Sequence, residues 1–154
     1  MQQPDYEAFF KDYISVFNGS MKGGVDADAI RASYAEYFVS AGAGGVVLGG
    51  ANDEKYAEVL RQGGGFYEAI GLQGMTLLKV DATPIDAGHD MVRPYFRADY
   101  LKKDGKSVSI EFDVVYMLQR REDGPKIFAF VAGDEMGLYR KHGLVDKDGK
   151  PPEG

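Results

Sequence analysis

One acid stands out in the sequence by its company. Asp134 lies in the run "KIFAFVAGDEM" (126–136), and strand spacing puts it on one face with Phe128, Phe130 and Ala132. A carboxyl held against rings has its pKa raised, because burial disfavours the charged form, and this suits general acid or base work near neutral pH. The same residue has a plainer reading, as a structural acid that caps backbone amides where the last strand ends. Its neighbour Glu135 is expected to face outward as a surface charge.

Other chemistries fit the residues less well. "AGAGGVVLGGANDE" (41–54) is glycine-rich, and Gly44 and Gly49 have the gap of a phosphate loop. Gly50 and Ala51, however, stand where Lys and Ser/Thr are needed. Against a dinucleotide fingerprint, Gly42 and Gly44 fit but Val47 fills the third glycine position. A backbone-packing role is the better reading. His89 and His142 are separated and lack an acid pattern, so both read as surface or loop residues, and no metal or other cofactor is expected. The chain has no cysteine, which excludes disulfides and thiolate chemistry, and it has no Gly-x-Ser-x-Gly nucleophile elbow. With 18 basic and 24 acidic residues the formal net charge is −6, which argues against nucleic acid as a partner. "MQQPDYEAFF" lacks a basic stretch followed by an apolar core, and no apolar run is long enough for a membrane span, so a soluble cytoplasmic protein is expected.

The elements that must position these residues fall into two halves. Pro4, Asp5 and Glu7 suit a helix start, and Tyr6, Phe9, Phe10, Tyr13, Ile14 and Phe17 follow at helical spacing. "NGSMKGGV" is the expected stop. Asp26 should cap a second helix with Ile30, Tyr34, Tyr37 and Phe38 on one side, and the glycine run should hold a short strand. Asn52 should cap a third helix bearing Tyr56, Val59, Leu60, Phe66, Tyr67 and Ile70, with Gly63–Gly65 either breaking it or admitting a close neighbour. From Leu72 the period changes to two. Four strands are expected, at about 72–85, 89–102, 106–121 and 125–136. "DAG", "KDG" and "EDG" connect them, each in the form of a type I turn closed by a glycine bulge.

That turn form fixes a register. Phe96 should meet Phe112, Ala98 meet Ile110, Val92 meet Tyr116 and Val80 meet Pro94 on one face. Arg97 with Glu111, Asp99 with Ser109 and Asp81 with Arg93 then fall on the other. The last strand is apolar on both sides, with Ile127, Ala129 and Val131 opposite the Phe128–Phe130 face, which suggests a homodimer through the outer sheet face. One domain over 1–145 and a flexible polar tail over 146–154 complete the expectation.

Two helices, a short strand, a third helix and a four-strand meander resemble the nuclear-transport-factor-2-like superfamily. "YISVFN" (13–18) resembles the first helix of its ketosteroid isomerase branch, and "GDEMGLYRKHGLV" (133–145) the closing segment of SnoaL-like cyclases. The resemblance implies a cone-shaped α+β fold: three N-terminal helices packed on a curved antiparallel sheet that encloses a cavity. It implies a small, largely apolar ligand against Phe17, Phe96, Tyr100, Phe112 and Phe130. If the protein is an enzyme, it implies cofactor-free proton transfer next to a carbonyl, an isomerase, cyclase or dehydratase step. Asp134 would then be the acid or base, and Tyr13 or Tyr116 would hydrogen-bond the oxyanion. The isomerase branch's general base would fall near Val46, where this sequence has no acid. The alternative implied is a non-catalytic homodimeric binding or assembly module.

Overall fold

The computed structural model describes residues 2–152. Helix α1 (Tyr6–Gly23) is capped by Asp5, whose carboxylate accepts from the Ala8 amide at 3.0 Å. It buries Tyr6, Phe10 and Ile14, four residues apart, on one stripe. The expected stop at Asn18 lies inside the helix. Ser20 there donates back to the Val16 carbonyl at 3.0 Å, and the Asp26 amide donates to the Ser20 hydroxyl at 3.3 Å.

Asp26 does cap the next helix, but α2 (Ala27–Arg31) is a single turn. Tyr34, Tyr37 and Phe38 belong instead to strand β1 (Tyr34–Ala41). A spacing of four suits a strand as well as a helix, and the aromatic and branched residues of this segment gain more from the sheet. The glycine run then folds as a hairpin: a tight 3₁₀ turn at Ala43–Gly45, then β2 (Val47–Ala51) paired back on β1. Gly49 sits where a Cβ would stand 3.1 Å from the Phe38 carbonyl oxygen, so part of the run does serve close backbone packing.

Helix α3 (Glu54–Ala69) is capped by Asp53, and it runs unbroken through its three central glycines. Asn52, the expected cap, ties α2 to β1 instead. Its amide donates to the carbonyls of Arg31 and Tyr34, and its oxygen accepts from the Arg31 guanidinium. The meander follows as β3 (Leu72–Asp86), β4 (His89–Leu101), β5 (Ser107–Gln119) and β6 (Lys126–Ala132). The sheet is six-stranded, curved and unclosed, in the order β2-β1-β6-β5-β4-β3; β1 and β6 run parallel and every other pair is antiparallel.

The register follows the turn argument: Phe96 faces Phe112, Ala98 Ile110, Val92 Tyr116, Arg97 Glu111 and Val80 Pro94. At "DAG" the device differs. Gly88 is not left-handed, and the extra residue bulges between Pro84 and Asp86, which leaves the register beyond it unchanged. On the outer face the charges pair with neighbours other than those directly opposite. Arg93 reaches Asp113 at 3.4 Å, and Arg97 reaches Asp99 at 3.3 Å.

Two clusters form the core. One joins Tyr6, Phe10 and Ile14 to Val92, Phe96, Leu118 and Ile127. The other joins Ile70, Ala98, Tyr100 and Ile110 to Tyr139, Leu144 and Val145. The second is closed by a helix that the strand reading missed, α4 (Glu135–Lys141). Part of the segment expected to be a flexible tail is folded. The Asp146 amide donates to the Lys150 carbonyl at 2.9 Å, and the Asp146 carboxylate accepts from the amides of Asp148 and Lys150.

Candidate functional site

The placement of the key acid turns on two local events in the chain. First, the β5–β6 register slips between Met117 and Leu118. Ile127 thereby turns inward, fully buried beside Leu118, while Phe128 turns outward and stands edge-on to His89 at 5.9 Å. Past the bulge, Phe130 and Ala132 face inward opposite Tyr116 and Val114 as expected. Second, β6 ends at Ala132, before Asp134.

Asp134 is the N-cap of α4 and is exposed; its carboxylate accepts from the Gly137 amide at 2.9 Å. A Cβ at residue 137 would collide with that carboxylate, so the glycine leaves room for the cap. The inward orientation expected for Asp134 is therefore not found, and its capping alternative is. The first turn of α4 replaces strand alternation with helical rotation, and this brings Glu135, expected outside, onto the wall of the interior pocket.

The pocket has a volume of about 620 Å³ and lies between the helices and the concave face of the sheet. Phe17, Phe96, Tyr100, Phe112 and Phe130 all stand on its wall, as do Tyr13 and Tyr116. Tyr67 of α3 and Tyr139 of α4 join them. Exposed residues at the end of α1 and along α3, among them Gly24, Val59, Gly63 and Gly65, also border it, so its mouth lies between these two helices.

The Glu135 carboxyl has no hydrogen-bond or ion-pair partner among the described residues. Burial alone pushes its carboxyl above the usual glutamate range. Its charge raises the pKa of the hydroxyls of Tyr13, Tyr67, Tyr100, Tyr116 and Tyr139, which line the same pocket and come from five elements. Burial is the largest cause of the raised pKa at each of these phenols.

The phenols themselves are linked. The Tyr13 and Tyr34 hydroxyls lie 2.9 Å apart, and the Tyr116 ring stands edge-on to Tyr13 from the sheet side at 6.0 Å. Tyr56 stands edge-on to Tyr34 at 6.0 Å, and burial raises its pKa to about 12. The rings of Tyr100 and Tyr139 form a second pair, edge to face at 6.1 Å. The Tyr67 hydroxyl has no hydrogen-bond partner among the described residues.

A second buried acid contrasts with Glu135. Asp90, at the start of β4, is fully buried. It accepts from Arg120 Nε at 2.8 Å and Arg120 Nη2 at 2.7 Å, and from the Tyr6 hydroxyl at 2.5 Å. Arg120 first, opposed by burial and helped by Tyr6, holds the carboxyl below the usual aspartate range. This triad fastens the start of α1 to the sheet.

No group of His, Asp and Glu side chains among the described residues is arranged to hold a metal ion. No described helix is long and apolar enough to cross a membrane.

Curved sheet, covering helices and aromatic pocket together define an NTF2-like α+β fold. The chain belongs to the family described as NTF2-like protein (DUF6841), whose match covers residues 4–135. Solved structures agree on the fold. An NTF2-like protein with a cystatin-like fold from Novosphingobium aromaticivorans has a TM-score of 0.65 at 14% identity, over 92% of this chain and 87% of that one. Aln2 from a Streptomyces species gives 0.62 at 16% identity, over 92% and 99%. A ketosteroid isomerase-like protein from Erwinia carotovora atroseptica gives 0.58 at 18% identity, over 82% and 91%. No curated protein matches.

Proposed function

We propose that this protein binds a small, largely apolar molecule in the aromatic pocket and catalyses cofactor-free proton transfer next to a carbonyl. The observation that carries the reading is Glu135: a carboxyl without a partner, on an aromatic wall, with its pKa raised by burial. Glu135 takes the role first expected of Asp134, removing a proton α to the carbonyl. Tyr13, which stands where the superfamily resemblance places an oxyanion-stabilising tyrosine, or Tyr116 donates to the developing oxyanion. Isomerisation, cyclisation and dehydration all fit this step. The ketosteroid isomerase-like neighbour supports the class.

The test is hydrogen–deuterium exchange α to the carbonyl across a panel of cyclic ketones and enones, followed by NMR. Glu135→Gln should slow exchange by about a hundredfold or more. Asp134→Asn should leave it within about twofold of wild type. Exchange unchanged in Glu135→Gln would sink the catalytic role.

A different observation supports the non-catalytic homodimer. Met91, Met117, Ala129 and Val39 form one row across the outer sheet face, with Val131 beside it, and Met91, Val39 and Val131 are exposed. No described helix covers that row, and a second copy would bury it. Val131→Asp should then convert a dimeric mass in light scattering to a monomeric one. A monomeric wild type at working concentrations would refute the interface.

A further inference from the structure

We propose that a protonated amine carried on an apolar body is a ligand of this pocket, its ammonium seated at the Glu135 carboxylate among the rings of Tyr67, Tyr100 and Tyr139. This rests on the pocket being a small-molecule site, as above, and not on the proton transfer.

Among the described residues that line the pocket, the ionic side chains are Glu135 within and Arg61 and Glu68 near the mouth. Arg61 is engaged by Glu54 at 2.9 Å and by Glu58, both on its own helix, while Glu68 adds a second negative charge. The phenols that feel the charge of Glu135 and line the pocket with it come from α1 (Tyr13), α3 (Tyr67), β4 (Tyr100), β5 (Tyr116) and α4 (Tyr139). All are raised in pKa and stay neutral through physiological pH. The pocket therefore offers an entering molecule a negative interior that no described side chain neutralises.

The rings supply the rest. Tyrosine faces attract a cation through their quadrupole, and most strongly where water is thin. Phe17 holds Tyr67 edge to face at 5.4 Å, and Tyr139 is flanked by Phe66 at 6.0 Å and Tyr100 at 6.1 Å. These rings are set by one another before any ligand arrives, so little ordering cost falls on binding. The partnerless carboxylate meets one of its unmet hydrogen-bonding needs when an ammonium donates to it. An amine seated there occupies the carboxylate, so amines should also block proton transfer at Glu135.

Calorimetric titration with three probes of one shape, phenylbutylamine, phenylbutanol and phenylbutyrate, tests this near neutral pH. The amine should bind about tenfold or more tighter than the alcohol, and the carboxylate weakest. Glu135→Gln should bring the amine down to the alcohol's level while leaving the alcohol unchanged, which also shows that the variant is folded. Amine affinity should fall as pH drops through the titration of Glu135. The window lies above the usual glutamate range, because burial raises the Glu135 carboxyl, and the amine stays protonated throughout it. An alcohol that binds wild type as well as the amine does, or amine binding that survives Glu135→Gln, overturns the inference and leaves the pocket reading standing. Failure of all three probes to bind overturns both.

Discussion

Asp90 and Glu135 stand near opposite ends of β4 and have opposite environments. Asp90 is fully buried, yet every demand of its charge is met by a bidentate guanidinium and a phenol. Glu135 is less deeply placed, but no donor approaches it among the described residues. The first carboxyl is held below its ordinary pKa and the second above it. Depth of burial alone would have picked Asp90 as the functional acid. Partnering reverses the choice, because a satisfied charge is a fastening and an unsatisfied one beside a pocket is available to a ligand.

That contrast is broken most forcefully at Asp90. Asp90→Ala strips the Arg120 guanidinium of its carboxylate and should cost about 3–5 kcal/mol in chemical denaturation. The pH dependence has a definite sign. A depressed carboxyl contributes stability that is present above the unfolded aspartate pKa and is lost as pH falls through the folded one. Wild type should therefore lose stability on acidification over that window, and Asp90→Ala should lose less.

The next effect belongs to the helix cap. Asp134→Ala removes the acceptor of the Gly137 amide and should cost about 1 kcal/mol, with ligand binding unchanged. An effect on binding comparable with that of Glu135→Gln would put Asp134 back in the site.

The smallest effect has the opposite sign. A raised carboxyl favours the folded state most below the unfolded glutamate pKa, and that advantage is lost as pH rises through the folded value. Glu135→Gln should thus stabilise the protein near neutral pH in chemical denaturation, by less than Asp134→Ala costs. Destabilisation there would mean that the carboxylate has a structural partner.

These three residues also mark how far the sequence could be read. The meander was legible because the three-residue connectors fix a register, and only one register puts Phe96, Phe112, Val92 and Tyr116 on a single face. The pocket's Phe wall followed from that alternation. Asp134 and Glu135 were exchanged because alternation was carried past the end of β6. Gly133, Asp134 as cap, Glu135 in the first turn and Arg140 and Lys141 in the last form a helix signature that outweighs it. The bulge that turns Phe128 outward has no such local mark. It depends on Leu118 and Ile127 packing together, a contact between strands. Tyr34 and Phe38 were assigned to a helix because a spacing of four fits both periods, and only the pairing of β1 with β6 decides between them. The Asp90–Arg120–Tyr6 triad joins residues up to 114 positions apart, and no local pattern announces it.

Glu135 is the carboxyl on the pocket wall without a partner among the described residues. Titration of carboxyl carbons by NMR on the wild-type protein measures this directly, with Asp90 as the internal contrast. Glu135 should titrate above the usual glutamate range and move lower when phenylbutylamine is added, while Asp90 titrates below the usual aspartate range with or without it. A Glu135 carboxyl that titrates at or below the ordinary glutamate value in the free protein would contradict the account.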